Sequence, residues 1–347
     1  MPVPERVLQV LGPSTGGIRR VVGALDAGLT ARGWDVRNAG PPGVLDGVCE
    51  QHLAAPWWDR RALAPLVHEA DVVHAHGLKV GWVLASIRRR PPLVVSVHNL
   101  VLDEAAGRTA PLLRAMEAAL PRRADRTIAL SPEVARRFSG LRGADRIRVV
   151  PPAVVPPQPA ATADEVRARW GVADGERLVA CVARLHPQKG LPTLLDAVEG
   201  LDAVRVLVVG EGPQRASLAA EIERRRLPVV LTGQLPSAAD VLAASDVVVV
   251  PSVWESGPLV LVEAMLLGRP VVATPVGFVR DLVTDGETGR LVPVGDAAAL
   301  AGALGDVLTD PTSARAMAEA GRRRAAERHS VPAMAAATEA VYREVLG

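Results

Sequence analysis

The sequence predicts an α/β protein built from two doubly wound, Rossmann-like domains that face each other across a cleft. Three observations support this fold class. Short apolar runs rich in β-branched residues alternate with longer helical segments, a pattern typical of parallel sheets covered by helices on both faces. The alternation occurs twice within 347 residues, a length typical of about two domains. A proline-rich stretch lies between the two series.

The strand candidates of the first series are residues 6–12, 34–40, 71–77, 92–98, 126–131 and 147–151. Those of the second series are residues 177–183, 204–210, 228–233, 246–252 and 270–275. The helical segments between them include 132–139, 191–200, 213–226 and 258–267. The tail, 312–347, also has a helical pattern, which the Ser-Val-Pro at 330–332 interrupts.

The boundary is predicted within residues 151–160, PPAVVPPQPA, because proline-rich segments form stiff, extended linkers. In doubly wound folds a ligand binds outside the carboxyl ends of the strands. We therefore expect the ligand between the two domains, where the polar and glycine-rich loops follow the strands.

The bulk composition favours a soluble globular protein. Hydrophobic residues make up 49% and charged residues 22% of the chain, and no apolar run reaches the roughly 18 residues of a membrane span. The first residues show no basic segment before an apolar one, so no signal peptide is expected. Cys49 and Cys181 suit neither a disulfide framework nor a metal site. These features predict a cytoplasmic protein.

The charge is distributed unevenly. The first 150 residues hold seven more basic than acidic side chains, whereas the remainder holds five more acidic than basic ones. This asymmetry fits an anionic partner for the first half, although ordinary solvated faces explain it as well. Lys79 and Lys189 are the only lysines among 40 basic residues, which draws attention to their positions.

Two loops contain pairs of glycines. GPSTGG follows the first strand and opens a helix, so Gly16 and Gly17 would let the backbone approach an anion, unless the loop is a plain turn. GEGPQR, at 210–215, has Arg215 where a dinucleotide fingerprint requires its third glycine. The latter loop therefore argues against a nicotinamide cofactor, and its glycines are interpreted as turn residues.

Charged and imidazole side chains follow other strands. ARLHPQKG places Arg184 and Lys189 after the first strand of the second domain, where two cations suit a diphosphate or simply form a solvated loop. SVHNL places His98 at a strand end. HAHG directs His74 and His76 to one face of a strand, and we expect lining or packing roles for both, since no third ligand has metal spacing.

These loops, taken in order, resemble the retaining GT-B glycosyltransferases of family 4, relatives of the glycogen-synthase and sucrose-phosphate-synthase enzymes. The matching segments cover nearly the whole chain: GPSTGG, DVVHAHG, SVHNL, ALSPEVARRF, VARLHPQKG, LVVGEGP, SDVVVVPSVWESGPLVLVEAMLLGRPVVAT and DGETGRLVPVGD. The most specific is the pair Glu255 and Glu263, which seven residues separate.

The resemblance implies a role for each matching position. Glu255 would contact the hydroxyls of the donor sugar, and Glu263 the ribose. Arg184 and Lys189 would neutralise the departing phosphates, and His98 would lie beside the reacting sugar. The loop at Gly16 and Gly17 would approach the diphosphate. The amides near the sugar and phosphates would be those of Gly257, Pro258, Leu259 and Val260.

The resemblance also implies a retaining, front-face transfer of a hexose-type sugar, with UDP expected first and GDP second. No metal and no cofactor are expected, and the chain lacks an Asp-x-Asp pair. Two alternatives stay open: a nucleotide-sugar 2-epimerase of the same fold, and a silent nucleotide-sugar-binding protein. The four charged residues Arg184, Lys189, Glu255 and Glu263 argue against the silent protein.

By the same resemblance, residues 1–152 form the acceptor domain and 153–330 the donor domain, and the final helix, 331–347, packs on the first. VVPPAVVPP stands where the family often has an Asn-Gly-Val-Asp-like turn, so the shape of that loop is not predicted. The acceptor is not predicted either. The basic stretch 79–148 suits an anionic acceptor or peripheral contact with an anionic membrane at its inner face, and a soluble small molecule suits the chain equally. No nucleic-acid partner is expected.

Overall fold

A computed structural model describes residues 5–14, 16–98, 100 and 109–347. Thr15 and Asn99, from the loops GPSTGG and SVHNL, lie outside the described residues, as do 1–4 and the part of the basic stretch at 101–108. The chain divides into two compact units. Unit 1 comprises 1–155 and 329–347, and unit 2 comprises 156–328.

Unit 1 contains a parallel sheet in the order β3-β2-β1-β4-β5-β6-β7. Its strands are β1 (Arg6–Leu11), β2 (Asp35–Gly40), β3 (His52–Ala54), β4 (Val72–His76), β5 (Leu93–Val97), β6 (Arg126–Ala129) and β7 (Ile147–Val149). Every residue of β4 and β5 is buried, as expected for central strands with helices on both faces. All three residues of the short edge strand β3 are exposed, and the strand was not predicted, because it lacks an apolar run.

Among the described residues of unit 1, five helices precede the boundary: α1 (Gly17–Thr30), α2 (Arg60–His68), α3 (Leu78–Ala85), α4 (Ala110–Arg123) and α5 (Pro132–Arg136). Local chemistry fixes several of their starts. At α5 the Ser131 hydroxyl accepts a 3.1 Å hydrogen bond from the Val134 amide, and Pro132 occupies the first turn, where no amide hydrogen is needed.

Unit 2 contains a second parallel sheet in the order β10-β9-β8-β11-β12-β13. Its strands are β8 (Arg177–Val182), β9 (Val204–Val209), β10 (Val229–Gly233), β11 (Val247–Val250), β12 (Val271–Ala273) and β13 (Arg290–Leu291). The two parallel sheets with their helices confirm the predicted α/β class.

The helices of unit 2 are α6 (Ala163–Arg169), α7 (Leu191–Val198), α8 (Arg215–Arg225), α9 (Ala239–Ala244), α10 (Leu259–Leu266), α11 (Val279–Leu282), α12 (Ala297–Thr309) and α13 (Pro311–Arg328). A capping box formed by Thr162 and Glu165 starts α6. The expectation that Pro258 is the first helical residue of α10 is wrong by one position. Pro258 has an extended ψ of 100° and precedes the helix as its cap.

The last helix, α14 (Val331–Leu346), lies in unit 1 and packs on α1. A Cβ on Gly28 would lie 2.7 Å from the Cβ of Ala335, so glycine permits the close approach of the two helices. The division of the chain falls after residues 155 and 328.

Each sheet has one point where the strand order reverses. In unit 1 it lies between the neighbours β1 and β4, and in unit 2 between β8 and β11. The loops that follow these strands leave in opposite directions, which opens a crevice at the carboxyl ends where doubly wound folds bind ligands. Within the described part of the chain, no helix combines the length and apolarity that crossing a membrane requires.

Candidate functional site

The loop after β8 and the loop after β11 are joined at the reversal point of unit 2. The Val253 amide donates a 2.8 Å hydrogen bond to the Gln188 carbonyl, and the Gln188 side-chain amide donates one of 2.9 Å to the Trp254 carbonyl. Gly190 has a φ of +64°, and a Cβ there would lie 2.0 Å from the Pro251 carbonyl oxygen. The two loops can therefore approach this closely only because residue 190 is glycine.

This junction places Lys189 against Glu255. The ammonium group and the Glu255 Oε1 form an ion pair, and the Ser252 hydroxyl donates a 3.1 Å hydrogen bond to the same oxygen. Glu255 is buried, with 8% of its side chain exposed, and the Lys189 side chain is 21% exposed. The cation and the hydroxyl offset part of the hydration that the carboxylate loses on burial.

Further contacts hold the Glu255 loop in place. The Thr274 hydroxyl donates a 2.5 Å hydrogen bond to the Ser252 carbonyl. A Cβ on Gly257 would lie 2.2 Å from the Phe278 ring, and one on Gly277 would lie 2.6 Å from the Glu255 carbonyl oxygen. The backbone around Glu255 is therefore in direct contact with the segment after β12, and this contact excludes larger residues at both glycines.

Arg184 lies on the same loop as Lys189, but in a different environment. The residue is exposed, and among the described residues its guanidinium has no hydrogen-bond or ion-pair partner. The loop thus carries one cation that is held by a carboxylate and one that extends into solvent. Both charges lie at the carboxyl end of β8, as the sequence predicted.

The GEGPQR segment packs against the loop that carries Arg184 and Lys189. The Leu185 amide donates a 2.9 Å hydrogen bond to the Glu211 carbonyl. A Cβ on Gly210 would lie 2.1 Å from the Ala183 carbonyl oxygen, and one on Gly212 would lie 2.4 Å from that of Leu185. These glycines allow two backbones to pack together, a role that the sequence analysis described only as turn formation.

Glu263 lies on α10, downstream of the Glu255 turn, and is buried. Its apolar neighbours Leu261, Val262 and Ala264 are buried as well, so the helix is enclosed on more than one side. The start of α10 supplies the amides of Gly257, Leu259 and Val260, which lie in the first turn or just before it. Pro258 has no amide hydrogen and cannot serve as the donor that the sequence analysis expected.

The remaining predicted residues lie in unit 1. Gly16 has a φ of +68° and directly precedes α1, which begins at Gly17. A Cβ on Gly16 would meet no atom within 4 Å, so backbone conformation rather than crowding calls for glycine there. Both residues follow β1, at the reversal point of the unit 1 sheet.

His98 follows β5 and is buried in a cluster with His74 and His76. The His76 and His74 ring centroids are 4.3 Å apart, which confirms that both side chains leave β4 on one face. His98 Nε2 lies 3.0 Å from His76 Nδ1. His74 contacts other partners: Tyr342 Oη at 2.7 Å and Ser96 Oγ at 2.8 Å.

Burial keeps all three imidazoles neutral near physiological pH. Loss of hydration lowers the pKa of His98 to about 4. The same loss, with a smaller contribution from His98, lowers the pKa of His74 to about 3. The pKa of His76 is lowered well below its ordinary value, by burial first and by the neighbouring rings second.

Three polar residues of these sites were not predicted from the sequence: Ser252, Gln9, which contacts His76, and Asn38, which contacts Gln9. A signal was present for Gln9, which interrupts the apolar strand RVLQVL, and for Asn38, a polar residue that is itself buried at the end of β2. Across the described ranges, no group of three or more His, Cys, Asp or Glu side chains is arranged to hold a metal ion.

Two family models match the chain one after the other. "Glycosyltransferase Family 4" matches residues 15–156, and "Glycosyl transferases group 1" matches residues 162–324. Among curated proteins, the D-inositol 3-phosphate glycosyltransferase of Nocardia farcinica is 38% identical over 277 residues, which are 71% of this chain and 60% of that one. The protein of the same name from Mycobacterium tuberculosis is 37% identical over 254 residues, 66% of this chain and 52% of that one.

The chain therefore spans between about half and three fifths of the length of these relatives. Solved structures match it over nearly its full length. The sucrose-phosphate synthase of Thermosynechococcus elongatus is 26% identical, with a TM-score of 0.83 and 98% of each chain covered. Anabaena HepE in complex with UDP-glucose is 24% identical, with a TM-score of 0.85 over 97% of this chain and 99% of that one, and shows the shared fold. The predicted fold and family are thus confirmed, and the chain belongs to the GT-B glycosyltransferases of family 4.

Proposed function

We propose that this protein is a retaining glycosyltransferase that moves a hexose-type sugar from a nucleoside-diphosphate sugar to an acceptor hydroxyl. The observation that carries the proposal is the ion pair between Lys189 and Glu255 at the reversal point of the unit 2 sheet. Exposed Arg184 on the same loop adds a second cation. A departing diphosphate develops negative charge, which fixed cations stabilise, and a buried carboxylate accepts hydrogen bonds from sugar hydroxyls.

The donor roles follow from this arrangement. Lys189 and Arg184 bind the diphosphate, and Glu255 accepts hydrogen bonds from the donor sugar. The amides at the start of α10 contribute further donors, as helix starts do for anions. Glu263 accepts hydrogen bonds from the ribose hydroxyls. UDP is the first candidate nucleotide and GDP the second, and the UDP-glucose in the HepE complex supports this order.

The chemical step is a front-face displacement. The bond between the anomeric carbon and the diphosphate oxygen breaks, and the acceptor oxygen forms its bond on the same face of the sugar. The acceptor proton passes to the departing phosphate oxygen, so no protein nucleophile is required. The cations of the β8 loop stabilise the charge on the leaving group, a task that a metal clamp performs in other enzymes.

For unit 1 considered by itself, we keep the roles that the sequence resemblance implies. The backbone at Gly16 and Gly17, at the start of α1, would contact the diphosphate. His98 would lie beside the reacting sugar. The neutral state of its buried ring suits a hydrogen-bonding role with a hydroxyl.

One experiment fixes the donor class. A thermal-shift panel with UDP, GDP and dTDP should show stabilisation by one nucleotide above the others, because a ligand that binds the folded state raises its apparent stability. The corresponding nucleotide-sugars are then incubated with the protein alone and with acceptors. Equal responses to all three nucleotides, or to none, would contradict a nucleotide-specific donor site.

The same incubations separate the alternatives. A 2-epimerase converts the donor without an acceptor, and a silent binding protein converts nothing with any acceptor. A transferase shows at most slow donor hydrolysis until an acceptor is present. Proton NMR of the product then reads the anomeric configuration, and an inverted product would contradict the retaining mechanism.

The acceptor panel begins with D-inositol 3-phosphate, the compound named by the two curated relatives. Its phosphate also suits the basic excess of the first 150 residues. Neutral polyols and sugars serve as comparison acceptors. Co-sedimentation with vesicles that contain anionic lipid tests the alternative of membrane contact, and binding that does not weaken with salt would argue against an electrostatic attraction.

A further inference from the structure

A continuous set of hydrogen bonds, partly buried at its start and buried from Asn38 onward, leads from the backbone at Gln51 to His98. The Asn38 side-chain nitrogen contacts the Gln51 carbonyl oxygen at 3.1 Å and the Asp26 carboxylate at 3.0 Å. The Gln9 nitrogen lies 3.1 Å from the Asn38 oxygen. His76 Nε2 lies 2.9 Å from the Gln9 oxygen, and His76 Nδ1 lies 3.0 Å from His98 Nε2.

These contacts have a direction, which the Gln51 carbonyl sets. A backbone carbonyl only accepts hydrogen bonds, so the Asn38 group that faces it must be the amino group. The Asn38 oxygen therefore faces Gln9 and accepts from the Gln9 amino group. The Gln9 oxygen, in turn, faces His76 and can only accept. Each orientation follows from the previous one, without any need to locate a hydrogen atom.

The direction continues through the imidazoles. His76 must carry its proton on Nε2 to donate to Gln9. Because the buried ring is neutral, with its pKa well below the ordinary value, its Nδ1 then carries no proton and accepts. The partner at that nitrogen, His98 Nε2, must be the donor. His98 is neutral as well, with a pKa of about 4.

We propose that Gln9 and Asn38 are positioning residues that fix His98 as the Nε2–H tautomer, so that its Nδ1 is a hydrogen-bond acceptor only. A group bonded to Nδ1 must then donate. If His98 lies beside the donor sugar, a part of the inference that rests on the proposed function, a sugar hydroxyl that meets Nδ1 must be the donor. The tautomer itself does not depend on that function.

Burial explains why the relay holds one orientation. Gln9 and Asn38 are each 1% exposed, and His76 and His98 each 4%. Reversing one amide would set donor against donor or acceptor against acceptor within this set, and an unsatisfied buried polar group costs about 1–3 kcal/mol. His74 belongs to a separate branch, since its two ring nitrogens contact Tyr342 and Ser96.

Long-range proton–nitrogen NMR of the full chain with ¹⁵N-labelled histidine reads the tautomer directly. The chain has seven histidines, and single His→Asn variants assign the signals of His76 and His98. We expect both rings to be neutral with the proton on Nε2, without substrate present. A His98 ring protonated on Nδ1, or on both nitrogens, at pH 7 would overturn the proposal whatever the activity of the enzyme.

Gln9→Met tests the relay, because methionine has a similar length and cannot orient His76. We expect His98 to become a mixture of tautomers, while Ser96→Ala, the control on the His74 branch, leaves the His98 signal unchanged. A single Nε2–H tautomer in folded Gln9→Met would overturn the role of Gln9. If Gln9→Met does not fold, the wild-type spectrum still decides the tautomer.

Activity provides a second, weaker measurement. A tautomer populated to about one half weakens a contact that needs it by only about twofold, so kcat/KM for the donor should fall by about that factor in Gln9→Met. An unchanged kcat/KM with a mixed spectrum would remove His98 from the sugar site but leave the tautomer assignment intact. If the wild-type protein showed no transfer at all, that result would instead count against the proposed function.

Discussion

Tyr342 and His74 share a buried hydrogen bond of 2.7 Å although 268 residues separate them in the chain. The bond joins α14 to the central strand β4 of the unit 1 sheet. Trp34 lies edge-on to the Tyr342 ring, with 5.2 Å between the centroids. The last helix is thus joined to the sheet by a buried polar contact that lies beside an aromatic pair.

Tyr342→Phe should therefore lower the free energy of unfolding by about 1–3 kcal/mol, because His74 loses a buried partner. Urea denaturation at pH 7 measures the change. Tyr342→Leu also removes the ring and should cost more. Wild-type stability in Tyr342→Phe would show that the hydroxyl contributes nothing, and equal losses in the two variants would show the same of the ring.

The Lys189–Glu255 pair should serve both stability and transfer. Lys189→Met leaves a buried carboxylate without its cation and should destabilise the fold by about 3 kcal/mol. Transfer should fall by a factor of about 10²–10³, typical of a lost transition-state contact. Glu255→Gln should reduce transfer similarly. Denaturation curves and kcat measure the two effects separately.

The double variant, Lys189→Met with Glu255→Gln, separates the two roles, because it leaves neither charge unpaired. Its stability should recover relative to Lys189→Met, whereas its activity should not. Arg224→Ala, which removes an exposed ion pair with Glu221 on α8, is the control and should change neither quantity. Near-normal turnover in the double variant would refute the site assignment.

Glu263→Ala should mainly weaken binding of the nucleotide, because the proposal places this carboxylate at the ribose rather than at the reacting carbon. We expect a higher dissociation constant for the free nucleoside diphosphate and a smaller effect on kcat at saturating donor. Calorimetric titration measures the first and steady-state kinetics the second. Unchanged nucleotide affinity in a folded variant would contradict the ribose role.

Gly190→Ala should lower the free energy of unfolding by more than the strain of its positive φ alone explains. The new Cβ would lie 2.0 Å from the Pro251 carbonyl oxygen and separate the loops that carry Lys189 and Glu255. Gly175→Ala is a matched control, because Gly175 also has a positive φ, +83°, yet has open space around its Cβ. Gly175→Ala should lower the free energy of unfolding by about 1 kcal/mol. A similar loss for both variants would show that the loop contact is unimportant.

The free energy of unfolding should fall as the pH is lowered from 6.5 to about 4. Burial lowers the pKa of His74 to about 3 and that of His98 to about 4, while the unfolded chain titrates near 6.5. Between these values the unfolded state binds more protons, so stability rises with pH and is fully present above 6.5. Each histidine contributes up to about 1.4 kcal/mol per pH unit.

Urea denaturation at pH 7, 6 and 5 measures this dependence. His98→Asn should reduce the slope, since one group that binds a proton only on unfolding has been removed. A slope identical to that of the wild type would mean that His98 is protonated in the folded protein at these pH values, against the expected effect of burial.

The sequence predicted most strands, the α/β class and the loops that hold Arg184, Lys189 and Glu255, because each has a local pattern. It did not predict that Lys189 and Glu255 touch. That contact depends on Gly190 packing against Pro251, a relationship between distant segments. The relay from Asn38 through Gln9 to His76 depends similarly on side chains from three strands. The strand β3 was not predicted, because its exposed residues show no apolar pattern.

The discontinuous composition of unit 1 has a consequence for synthesis. Unit 2 is one uninterrupted segment, 156–328, whereas unit 1 needs α14, which leaves the ribosome after the whole of unit 2. The His329 ring donates a 2.7 Å hydrogen bond to the Pro152 carbonyl, and the Val154 amide donates one of 3.1 Å to the His329 carbonyl. These bonds join the two segments that form unit 1, and they can form only after residue 329 has been synthesised. Unit 2 is therefore completely synthesised before unit 1, although unit 1 begins first. This order reverses the usual amino-to-carboxyl order of domain folding.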